Sequence, residues 1–153
     1  MKRISTLILV AVALLMPRLA SAQGYVPTEE ILKSREEFAD SKFGVFLHWG
    51  LYSMFAQGEW YMNRGIDSKE YAKSMHAFYP HRFDAAQWVS AIKAAGAKYI
   101  CFTSRHHEGF SMWDTKQSDY NIMNTPYGKD VIRQLADECH RQGIKLHLYY
   151  SHI

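Results

Sequence analysis

Cysteine is scarce in this 153-residue chain, where only Cys101 and Cys139 occur, so a disulfide framework does not carry the fold. Both fall in apolar settings, Cys101 in a strand-like run and Cys139 on a helix, where small thiols are expected to be buried. Four prolines and nine glycines in ordinary surroundings exclude collagen-like and low-complexity readings. Charge of one sign is also lacking. The formal net charge of +3 comes from Lys2, Arg3 and Arg18, and the other 15 basic residues balance the 15 acidic ones. Without a basic stripe the chain has no electrostatic footprint for a phosphate backbone, which argues against a nucleic-acid partner. No apolar run reaches the roughly 20 residues that a bilayer span needs. Three chemical signatures are missing as well: the Gly-x-Gly-x-x-Gly of dinucleotide binding, the Gly-x-Ser-x-Gly elbow of a serine hydrolase, and the His-Glu-x-x-His of a zinc helix. Aromatic residues, by contrast, are plentiful at 14%, with ten Tyr, eight Phe and four Trp, and their flat apolar faces suit sugars or bases.

The first segment reads as an address. Lys2 and Arg3 precede an apolar run from Ile4 to Met16, broken by Pro17 and Arg18 and followed by Ala20-Ser21-Ala22. That order is a secretory signal with cleavage expected after Ala22, so residues 1–22 are assigned to export and the mature chain is expected to be secreted or periplasmic, with no membrane attachment after cleavage.

From Gln23 onward helices and strands alternate without a linker or repeat. Thr28 with Glu29 and Glu30 opens a helix to about Asp40, and Lys42 to Leu47 is a β-type run ending at His48-Trp49-Gly50. Asp67 with Glu70 caps a helix predicted to reach Phe78, and Asp84 with Gln87 caps another that Gly96 ends. Lys98 to Thr103 forms a second strand, running into Ser104-Arg105-His106-His107-Glu108-Gly109. Asp130 then opens a helix closed by Gly143, and Ile144 to Tyr150 is a third strand. Strands separated by helices with short joins imply right-handed βαβ crossovers and a parallel sheet, an α/β fold. The expected architecture is the N-terminal portion, about three βα units, of a (β/α)8 TIM-type barrel, incomplete as given. Such a barrel typically needs about 250 residues. A stand-alone doubly wound domain is the weaker reading, because neither strand-to-helix join carries the phosphate-binding glycines. Phe46, Phe102 and Leu148 are expected to point together into the barrel interior.

The unusual residues gather at strand ends. His48 follows the first strand, His106 and His107 follow the second, and Tyr149 closes the third, which places them on the C-terminal rim where barrel enzymes build their sites. Glu59 and Trp60 lie in the long join after the first strand and can lean over the same rim, Trp60 offering an apolar face and Glu59 two acceptors for hydroxyl donors. A metal is not favoured, because His106 and His107 are adjacent on an extended segment and should point to opposite sides.

The residues also carry a family resemblance. Phe43-Gly44-Val45-Phe46-Leu47-His48-Trp49-Gly50, Glu59-Trp60-Tyr61, the run from His106 to Trp113, Asp119-Tyr120-Asn121 and Tyr149-Tyr150-Ser151 resemble, in order and spacing, the α-L-fucosidases of glycoside hydrolase family 29. The resemblance implies that residues 23–153 are the N-terminal part of a glycoside hydrolase barrel that removes terminal α-L-fucose from glycans with retention of configuration, using no cofactor and no metal. It implies that His48, Glu59, Trp60, His106, His107 and Tyr149 line the fucose subsite, the histidines bonding hydroxyls, Trp60 packing on the apolar side of the sugar and Tyr149 standing near the reacting carbon. It further implies that the nucleophile and the acid/base lie beyond Ile153, so no catalytic carboxylate is expected in this chain. On that reading the chain holds the sugar-binding half of an exo-acting hydrolase and is inactive alone. The alternative is a non-catalytic fucose-binding or vestigial barrel fragment.

Overall fold

The computed structural model describes residues 24–152, so the export segment 1–22 lies outside the described residues. The chain divides into two units, one through Glu36 and the other from Glu37 onward. In the first unit Thr28 opens helix α1 (Glu29–Ser41), its Oγ1 accepting the Ile31 N–H at 3.3 Å, and the Arg35 guanidinium lies over the Tyr25 ring.

The second unit is built on three parallel strands in the order β1 (Gly44–Leu47), β2 (Tyr99–Arg105), β3 (Lys145–Tyr150). Lys42 turns the chain out of α1 with φ +51°, so the first strand starts at Gly44 and not at Lys42. Gly44 is required there by space, because a Cβ would overlap the Tyr99 ring at 2.3 Å. Between β1 and β2 come α2 (Ser68–Ala72) and α3 (Ala85–Ala94), and α4 (Val131–Gln142) precedes β3. The sequence caps act as expected. Asp67 accepts from the N–H groups of Lys69 and Glu70, Asp84 from Gln87 and Asp130 from Arg133, each satisfying donors that a helix start leaves unpaired. At the other end of α4, Gly143 takes the left-handed conformation at φ +68° that a C-cap favours. The helix expected to run from Asp67 to Phe78 is shorter. It passes at Lys73 into a 3-10 turn through Ala77, so that the helix delivers Tyr71 and the turn delivers Met75 and Phe78 to the core.

Helices α3 and α4 cover one sheet face. Val89, Val131, Leu135 and Cys139 bury themselves against Ile100 and Phe102, all below 3% exposure, as the 3.6-residue spacing of their apolar positions requires. The register sorts the strands into two faces. Leu47, Phe102 and Leu148 are partners across the sheet, and so are Phe46, Cys101 and His147. The expected grouping of Phe46 with Phe102 and Leu148 is therefore wrong, because side chains alternate along a strand and Phe102 lies on the helix-covered face, fully buried. Phe46 lies on the other face and is half exposed, and Cys101 beside it is only half-buried, against the expectation of an interior thiol. The three strand C-termini meet at one end of the sheet, where Ser151 N–H donates to Arg105 O at 3.0 Å.

Candidate functional site

β1, β2 and β3 deliver His48, His106 with His107, and Tyr149 to the same sheet end, as the spacing predicted. The His106 ring is the centre. It meets His48 edge-on at 5.4 Å between centroids, stacks on Tyr149 at 5.8 Å and 28°, and is met edge-on by Tyr52 at 5.4 Å and Trp60 at 5.7 Å. Trp60 also lies over His107 at 4.5 Å and 32°. The expectation that His106 and His107 point to opposite sides is overturned. β2 ends at Arg105, and a turn closed by Gly109 N–H to His106 O at 3.0 Å swings both rings into one cluster, 4.6 Å apart. Extended geometry simply does not apply past the last strand residue.

Each member is held differently. His107 Nδ1 shares a 2.7 Å hydrogen bond with Ser151 Oγ, which ties the β2 turn to the residue after β3. Ser104 Oγ donates to Tyr149 O at 2.7 Å and fixes the third strand end. Trp49 N–H donates to Thr103 Oγ1 at 3.1 Å, anchoring the residue after His48 to β2, while His48 itself packs on Phe46 at 4.6 Å and stays exposed. Trp60 keeps half of its surface open, and Glu59 is half-buried.

At the centre of the cluster the surroundings favour a neutral His106 ring. Burial, then the neighbouring His107 and His48, lower the pKa of His106 from the ordinary 6.5 to about 4, with Glu59 opposing weakly. His106 is only 3% exposed, and its Nδ1 has no hydrogen-bond partner among the described residues. A buried polar nitrogen without a partner is costly in a folded protein and is met where a ligand supplies the missing bond. A neutral imidazole offers one donor and one acceptor, which matches a hydroxyl. Among the described residues no three His, Cys, Asp or Glu side chains are grouped to hold a metal ion. The 410 Å³ cleft beside α3 and α4, lined by Phe83, Asp84 and Glu138 among others, shares none of these residues.

Four residues at this end were not singled out from sequence: Tyr52, Tyr71, Thr103 and Ser151. Thr103 was discoverable as a hydroxyl inside an apolar strand, and Ser151 stands in the Tyr149-Tyr150-Ser151 run already noted, though without a role; Tyr52 and Tyr71 carry no local signal, because only the fold brings them to the cluster.

The model of the Alpha-L-fucosidase family matches residues 12–153. An alpha-L-fucosidase of Dictyostelium discoideum is 33% identical over 95% of this chain and 37% of its own. A Bacteroides thetaiotaomicron alpha-L-fucosidase of glycoside hydrolase family 29, solved as a trapped covalent intermediate, is similar with a TM-score of 0.74 at 33% identity over 77% of this chain and 30% of its own. The Lactobacillus casei alpha-L-fucosidase in complex with α-L-fucose product gives 0.73 at 38% identity over 76% of this chain and 39% of its own. The chain spans about a third of the length of the curated relatives it matches.

Proposed function

The chain belongs to the alpha-L-fucosidase family, glycoside hydrolase family 29, and from that premise we propose that it forms the sugar-holding part of a retaining exo-α-L-fucosidase acting on fucosylated glycans, within the first three units of a (β/α)8 barrel. The observation that carries the reading is the convergence of His48, His106, His107, Trp60 and Tyr149 from three neighbouring strand ends around a buried, unpaired imidazole nitrogen. His48, His106 and His107 accept and donate to sugar hydroxyls, Glu59 accepts from another, Trp60 covers the apolar side of the ring, and Tyr149 stands beside the reacting carbon. A covalent intermediate in the Bacteroides relative and bound α-L-fucose in the Lactobacillus relative support this reading.

Retention requires two carboxyl groups roughly 5 to 5.5 Å apart across the scissile bond. Glu108 is buried and accepts a hydrogen bond from Tyr71, and Asp114 is paired with Lys116. As the family resemblance implies, we assign the nucleophile and the acid/base to residues outside this chain, and from the basic, apolar and small-residue order of the first segment we assign residues 1–22 to export.

The protein expressed from its intact gene should release nitrophenol from an aryl α-L-fucoside with α-L-fucose as the first-formed anomer. His48→Ala, His106→Ala and His107→Ala should each lower kcat/KM by about two orders of magnitude or more, since a site built to bond hydroxyls loses that much when a partner is removed. Near-normal kcat/KM in all three would refute the site, and fucose binding without turnover would favour the non-catalytic alternative.

A further inference from the structure

Glu108 is a carboxyl group at 8% exposure whose surroundings explain its presence better as scaffolding of the cluster than as chemistry. Its Oε2 accepts from Tyr71 Oη at 2.5 Å, and Tyr71, on α2, is itself 3% exposed. The carboxyl group lies beside the start of the 3-10 turn (Leu51–Met54) that follows His48-Trp49-Gly50, where the Tyr52 and Leu51 amides favour its charged form against burial. The backbone approaches so closely that a Cβ on Gly50 would stand 2.9 Å from Glu108 Oε1. One side chain thus touches the turn after β1, belongs to the turn after β2, and is braced by α2.

The consequence for the cluster follows from what those contacts fix. Tyr52 has its hydroxyl 3.0 Å from Thr103 Oγ1 and its ring edge-on to His106. His48 is bracketed between Leu47, paired with Phe102 in the sheet, and the Trp49-Gly50-Leu51 segment that Thr103 and Glu108 hold. A buried carboxyl group is expensive unless fully bonded, so a role confined to packing would be served at lower cost by an apolar residue. A carboxylate has several lone pairs and can clamp several donors at once, which no apolar residue can do.

We propose that Glu108, with Tyr71 as its partner, is a positioning residue that locks the loop bearing His48 onto the turn bearing His106 and His107, setting the spacing of the sugar-binding imidazoles. The inference rests on the sugar-site reading above. Glu108 does not touch the sugar; it acts through the His48 loop.

The test uses the protein expressed from its intact gene, with L-fucose as the probe, binding read by calorimetry and folding by circular dichroism. Glu108→Gln and Tyr71→Phe should raise the Kd for L-fucose tenfold or more with unchanged spectra. Gly50→Ala should do the same although the carboxyl group remains, because the new methyl group would meet both Glu108 Oε1 and the Tyr52 ring at 2.9 Å and force the loop and the carboxyl group apart; Gly50 is extended at φ −175°, so alanine is tolerated by the backbone itself. In the Glu108→Gln background, adding His48→Ala should cost at least fivefold less than it costs in the parent, since His48 is already displaced; a merely structural role would give additive losses. A parental Kd in Glu108→Gln alongside weakened binding in His106→Ala would overturn the positioning role and leave the sugar site standing. Parental Kd in all three histidine variants would overturn the sugar site and this inference with it. Should Glu108→Gln fail to fold, parental Kd in both Tyr71→Phe and Gly50→Ala overturns the proposal, and tenfold losses in both support it.

Discussion

Substituting His106 and Glu108 one at a time by Gln should give stability changes that move in opposite directions with pH. In the folded protein burial, with His107 and His48 nearby, lowers the His106 pKa from 6.5 to about 4. The unfolded chain then binds the extra proton between those values. The stability that neutral His106 contributes is full above pH 6.5 and is lost as pH falls toward 4. Glu108 runs the other way, its pKa raised by burial from 4.5 to about 7 against the opposing pull of Tyr71 and the Tyr52 and Leu51 amides. The folded protein keeps that proton, so the contribution is full below pH 4.5 and is lost as pH rises through 7. At 1.36 kcal/mol per pKa unit each shift corresponds to about 3 kcal/mol. Between pH 4.5 and 6.5 the two slopes cancel and neither is visible in the parent protein. The assay is urea unfolding, followed by tryptophan fluorescence at half-unit steps from pH 4 to 8. The parent minus His106→Gln stability should rise by about 3 kcal/mol from pH 4 to 6.5, and the parent minus Glu108→Gln stability should fall by about 3 kcal/mol from pH 4.5 to 7. Differences that are flat, or of the same sign, would refute the assignment of burial as the dominant cause at both groups.

Phe102→Ala should cost about 3 to 5 kcal/mol by opening a cavity under α3 and α4, whereas half-exposed Phe46→Ala should cost under about 1.5 kcal/mol, since little of its surface is buried; equal losses in denaturant unfolding would mean that the two sheet faces have been misassigned. Residues 23–153 expressed alone should release no nitrophenol from an aryl α-L-fucoside and should scatter light, because Phe46 and Leu148 are half exposed and a parallel sheet is normally covered on both faces; turnover from a monomeric, cooperatively melting sample would show that Glu59 or Glu108 is catalytic after all. Mass spectrometry of the exported protein should find Gln23 at the N-terminus, and an intact Met1 would remove the export assignment.

The fold was legible where local chemistry decides it. Asp84 and Asp130 announce their helices because a carboxylate at the N-cap satisfies backbone donors whatever lies elsewhere, and Gly143 ends α4 because it alone takes φ +68° without a Cβ clash. Sheet faces were less legible. β2 is apolar on both sides over Tyr99–Phe102, so no alternation marks which residues face the helices, and Phe102 was assigned to the wrong side; only the pairing of Leu47, Phe102 and Leu148 decides it.

At the candidate site, the sequence revealed the residues that point outward from strand ends but not those that hold them there. His48, His106, His107 and Tyr149 were visible because a strand end is a local event. The partnerships of Ser151 and Tyr71 were not, because each acts on a residue 44 or 37 positions away in the chain. Glu108 shows why the distinction matters. It stands two residues from one histidine and next to the other in the chain, yet at 8% exposure its Oε2 is taken by the Tyr71 hydroxyl. A carboxyl group next to a reactive ring becomes chemistry only if its oxygens are free to reach the reacting atoms. When a neutral donor already occupies one of them, the contribution proposed for it is geometric: the separation of His48 from His106.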